Sequence, residues 1–149
     1  MDSTSAKPFG LSPQDLARVK IILALHSPKT GAGKQRIEID GTGELRLVRS
    51  ANREAPEETV PGKVKQTEVA SLLVLMENEN VLGMELEYKG KTMYSMRRQI
   101  SLTLPSGEKS VYADHDVAPP EFERMAGAIQ LLAGMGTPQA LNHRFLAGL

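Results

Sequence analysis

Cysteine is absent from this sequence. Its absence excludes a disulfide framework, a thiolate nucleophile, an iron–sulfur cluster and a thiolate zinc site. It also suits a reducing compartment, so a cytoplasmic location is expected. Tryptophan is absent too, and aromatic residues make up only 4% of the chain. The carboxylate pairs Glu85 with Glu87 and Glu57 with Glu58 therefore lack the aromatic platform of a sugar-cleaving site. Net charge is zero, with 18 Lys plus Arg against 18 Asp plus Glu. A dedicated nucleic-acid binder carries a positive excess, so no nucleic-acid partner is expected. Long apolar runs are missing as well. None exceeds five residues, as from Ile21 to Leu25, and MDSTSAKPFG at the start holds no signal-peptide core, so no membrane partner is expected.

What is present suits one globular domain: 149 residues, 40% of them hydrophobic and 24% charged. Residues 1–11 read as a flexible N-terminal tail, 12–135 as a single domain, and 136–149 as a C-terminal tail that could form a docking helix. Ser12, Pro13 and Asp15 resemble the start of a short helix. Val19, Ile21, Leu23 and Leu25 alternate as a strand. Arg36 to Asp40, the turn Gly41-Thr42-Gly43 and Glu44 to Arg49 read as a hairpin. SANREAPEETVPG, residues 50–62, carries two prolines and reads as an exposed loop. Thr67 is the expected cap of a core helix with an apolar stripe of Val69, Leu72, Leu73, Leu75 and Met76. Met84 to Tyr88 and Thr92 to Met96 are expected to pair as a small hairpin. Gln99 to Leu104 and Lys109 to Ala113 make a better-marked one around Pro105-Ser106-Gly107. Pro119 and Pro120 open a final helix whose Phe122, Met125, Ile129, Leu131 and Leu132 are available for the core. The expected fold is α+β: an antiparallel sheet of about five to seven strands built from hairpins, with two main helices packed on one face.

Few motifs carry chemistry. Thr30-Gly31-Ala32-Gly33-Lys34-Gln35 suggests a phosphate-binding loop, but Pro28 stands where that pattern needs glycine and Gln35 where it needs Ser or Thr. A hairpin loop is the better reading. Asp114-His115-Asp116, with His26 or Glu38, is the alternative small-ligand, metal or catalytic site. On an extended chain His115 would face away from the two aspartates. No activated serine is evident, since Ser106 sits in ordinary turn composition, so no catalytic residue, metal or cofactor is assigned. Met84, Tyr88, Met93, Tyr94, Met96, Arg97 and Arg98 gather methionine, tyrosine and arginine, types enriched in protein-binding surfaces. Leu141, Phe145 and Leu146 give the C-terminal tail an apolar side that needs a seat. These ten are the expected partner-binding residues.

The run of elements from Val19, with its strand ending IDGTGEL, helix beginning TEVASLLVLM, hairpin QISLTLPSGEKSVYAD and proline-started last helix, resembles a loose class of small bacterial α+β proteins. Over roughly residues 18–133 it is distantly similar in layout to the emfourin family of proteinaceous metalloprotease inhibitors. The resemblance implies binding rather than catalysis, and no inhibitory motif is matched. The expected function is thus a non-enzymatic module that binds another protein or a second copy of itself, as an inhibitor or accessory subunit. A structural component of a larger assembly is the further alternative.

Overall fold

Strict alternation in the strands becomes a sheet with two chemically different faces. The computed structural model describes residues 7–91, 95–139, 145, 146 and 149. Its elements are α1 (Pro13–Leu16), β1 (Lys20–His26), β2 (Gln35–Asp40), β3 (Glu44–Arg49), β4 (Glu58–Lys63), α2 (Gln66–Asn78), β5 (Glu87–Tyr88), β6 (Arg97–Leu104), β7 (Gly107–Asp114) and α3 (Pro120–Met135). The seven strands form one open sheet in the order β4-β3-β2-β1-β6-β7-β5. All neighbours are antiparallel except β5 and β7. The fold is α+β, and no helix of the described residues is long and apolar enough to cross a membrane.

Register puts the apolar residues on one face. Leu45, Ile39, Ile21 and Leu102 form one cross-strand row, and Val60, Leu47, Ile37, Leu23, Ile100 and Val111 form the next. All belong to one buried cluster with Val69, Leu72, Leu73 and Met76 of α2 and Phe122, Met125, Ile129 and Leu132 of α3. Each such side chain contributes about 1.5–3 kcal/mol when fully buried. The alternate residues, such as Lys20, Ile22, Arg36, Glu38, Gln99 and Ser101, point the other way and stay outside this cluster.

Several expectations need correction. Residues 58–62 of the 50–62 segment belong to strand β4, because Val60 can pair beside Leu47 and an edge position tolerates Pro61. The strand expected to pair with 84–88, over 92–96, falls mostly outside the described residues. Residues 92–94 lie outside the described residues, and β5 pairs in parallel with β7, Glu87 beside Tyr112 and Tyr88 beside Ala113. Helix α2 begins one residue before Thr67, because the Glu68 carboxylate accepts the Lys65 N–H at 3.0 Å and so moves the cap to Lys65. Packing also starts within the segment read as an N-terminal tail: Pro8 is buried, and Phe9 and Leu11 rest on the core. The α1 reading matches, with the Ser12 hydroxyl accepting the Asp15 N–H at 3.2 Å.

Candidate interaction surfaces

Helices α2 and α3 run antiparallel. Arg124, early in α3, donates to both carboxylate oxygens of Glu79, just past the end of α2, at 2.5 and 2.8 Å. Between them lies an apolar groove of about 300 Å³ lined by Leu72, Leu75, Ala128, Leu131, Leu132 and Met135, with Glu68 and Ser71 at its other end. Leu131 is 69% exposed and Met135 63%. Leu131 was expected in the core. Met125, Ile129 and Leu132 already fill that direction at helical spacing, and Leu131 is turned about 100° away from Leu132. No charged residue occurs from Met125 to Gln139 or from Val69 to Met76. The exposed sides of both helices are therefore uncharged over this length.

The expected partner-binding residues fall in different surroundings. Continuing past the two core rows, the same sheet face carries a third: Arg49, Gln35, Leu25, Arg98, Ala113 and Tyr88. Phe145 and Leu149 meet this row. Phe145 and Leu149 are buried and Leu146 is partly so. Gln35 Nε2 donates to the Phe145 carbonyl at 2.8 Å, and Arg98 Nη1 to that of Leu149 at 3.1 Å. Arg98 is only 4% exposed, its guanidinium 5.2 Å from the centre of the Phe122 ring. Glu123 Oε1 lies 2.8 Å from Arg98 Nη2 but off the line of its N–H bonds, so the pair is ionic rather than hydrogen-bonded. Arg98 Nε has no partner among the described residues. Tyr88 is half-buried and its hydroxyl accepts the Glu85 N–H. Met84 is buried, while Met96 lines a small cavity with Leu25, Gln35 and Arg49. Met93, Tyr94 and Leu141 lie outside the described residues.

The alternative site resolves into a structural hub. Asp114 is 4% exposed; its Oδ2 accepts the Gly90 N–H at 2.8 Å and its Oδ1 the Arg97 Nε at 2.9 Å. Arg97 also lies 3.5 Å from Glu87, so Asp114 and Arg97 tie β5 to the sheet. Asp116 accepts from Ser95 at 3.3 Å, and His26 pairs with Gln99 at 2.8 Å. Glu38 lies four residues along β1's partner register from that row, about 13 Å away at strand rise, where Arg36 and Arg46 both donate to it. Among the described residues no three of His, Asp and Glu gather as a metal ion requires.

The Gly90 bond, helped by Arg97 and opposed by burial, holds the Asp114 carboxyl below the usual aspartate range. A lowered folded value gives stability that is present above the unfolded pKa, near about 3.9, and lost as pH falls through the folded one. Denaturant midpoints measured from pH 7 downward should therefore drop in the acid range, and Asp114→Asn should flatten part of that drop. An equally steep acid limb in the variant would remove Asp114 from the account.

The glycine loop is built for packing. A Cβ on Gly33 would lie 1.8 Å from the Ser50 carbonyl oxygen. The Lys34 N–H donates to Ser50 Oγ at 2.8 Å, and the Ser50 N–H to the Lys34 carbonyl at 2.9 Å. A strand follows it rather than a helix, so no helix N-terminus faces a phosphate. The groove residues Leu75, Ala128 and Met135 were missed as surface candidates. The available signal was the uncharged run after Arg124, of which Met125, Ile129, Leu131 and Leu132 were read as available for the core. Neither a protein-family model nor a curated protein matches this chain.

Proposed function

We propose that this protein is a non-enzymatic interaction module whose partner surface is the groove between α2 and α3. In this reading both helices sit on the Ile21 and Leu23 face of the sheet, and their outward sides receive the partner. One observation carries it: Leu131 and Met135 stand exposed beside an apolar groove, on helices without a charge for most of their length, in a chain that is 24% charged. Depletion of charge around exposed apolar anchors marks the centre of a protein interface. By contrast, the ionic groups of the opposite sheet face pair with one another: Arg36 and Arg46 with Glu38, and Arg97 with Asp114.

The test is chemical cross-linking in lysate of the source cells, which also holds untagged copies, followed by tagged capture, comparing the wild type with a Leu131→Glu, Met135→Glu double variant. A cross-linked partner with the wild type, lost in the variant, is expected. An identical captured set with both proteins, or none with either, would overturn the reading.

A further inference from the structure

We infer that the occupant of the α2–α3 groove is the same groove of a second copy, paired about a two-fold axis. This inference rests on the interaction-module reading above. The first argument is electrostatic. The strip has no charge after Arg124 on α3 or between Glu68 and Glu77 on α2, so two copies meet face to face without like-charge opposition. The charges at its ends do not call for a partner of distinctive charge. Arg124 is engaged by Glu79, and Glu68 accepts the Lys65 N–H.

The second argument is shape. On α3, Leu131 lies one turn from Gly127 and Ala128 on the same side. A large projecting residue next to small ones is self-complementary: a two-fold axis between Ala128 and Leu131 seats each Leu131 against the partner's Ala128. A Cβ built on Gly127 meets nothing within 4 Å. The gap is thus not demanded by packing within one copy, although a mid-helix glycine costs about 0.5–1 kcal/mol relative to alanine.

The third argument is size. The uncharged part of α3 from Met125 to Met135 is about 16 Å long, and two helices spaced about 8–10 Å apart present a strip about 20 Å wide. That is roughly 300–400 Å² per copy, about half the contribution of each partner to a stable interface. The dimer is therefore weak and reversible.

Sedimentation velocity of the full chain between about 5 and about 500 μM tests this, a range wide enough to catch a weak dimer. Wild type should shift from monomer towards dimer across the range. Leu131→Glu should stay monomeric throughout with an unchanged circular dichroism spectrum. Leu86→Glu, altering a residue 64% exposed beside β5, should dimerise like wild type. A wild type that remains monomeric, a Leu131→Glu protein that still dimerises, or a dimer dissolved by Leu86→Glu would each overturn the second-copy inference. If the wild type is monomeric yet capture returns a different protein that the groove variant loses, the module reading stands and only the identity of the occupant fails.

Discussion

Replacing Phe145 with alanine is expected to lower the unfolding free energy by about 3–5 kcal/mol, the range for emptying a fully buried aromatic site. Phe145 is 1% exposed and belongs to the same cluster as Ile21, Leu23 and Phe122. Its backbone is held as well, through the Gln35 side chain. Phe145 and Leu149 are thus part of the core, and removing them would uncover Gln35 and Arg98. Urea titration measures this directly: the midpoint should fall for Phe145→Ala and much less for Leu146→Ala, which is only partly buried. A loss below about 1 kcal/mol for Phe145→Ala would mean that the segment is not docked in solution.

The second large effect is expected at Gly33. Alanine there would drive its Cβ into the Ser50 carbonyl, 1.8 Å away and part of a backbone that cannot rotate clear. The two loops are laced by reciprocal bonds between Lys34 and Ser50, so separating them breaks those too. A cost of about 1–3 kcal/mol or more follows. Gly31→Ala is the informative contrast. Gly31 has φ +76° but nothing within 4 Å of an added Cβ. Only the left-handed backbone is strained, at about 1–2 kcal/mol. The same titration should rank Gly33→Ala below Gly31→Ala in stability, and the reverse order would sink the packing account of this loop.

Local signals carried the sequence reading where pairing is local. Strands β2 and β3, joined by Gly41-Thr42-Gly43, and β6 and β7, joined around Pro105 and Ser106, combine alternation with turn residues, so pattern and chain proximity agree. Strand β4 was illegible because Val60 alone is buried along it, and two prolines of its segment outweigh one valine by local rules. The parallel pairing of β5 depends on a contact across more than twenty residues, with Tyr112 donating to the Leu86 carbonyl, which no local pattern encodes. Arg98 was read as a surface residue from its charge. Register with Leu25 and Ala113 turns it inward, where Phe122 and the end of the chain surround it. Leu131 was misplaced the opposite way: three neighbouring apolar residues satisfy the core, and only three-dimensional packing says which of the four is left over.

Pro61 has a consequence for how this protein behaves in bulk. Along β4 the Lys63 N–H points away from β3, to the Gly136 carbonyl at 3.0 Å. Two residues earlier, Pro61 presents the same direction with no hydrogen to offer, so only Thr59 keeps an outward donor on that margin. On the far margin, the short β5 covers Tyr112, and Lys109 is tethered to the Met84 carbonyl at 2.6 Å. Among the described residues neither margin offers an uninterrupted ladder to a foreign strand, an arrangement that disfavours edge-to-edge pairing. Pro61, costly to a local strand pattern, thus blunts the margin on which it lies.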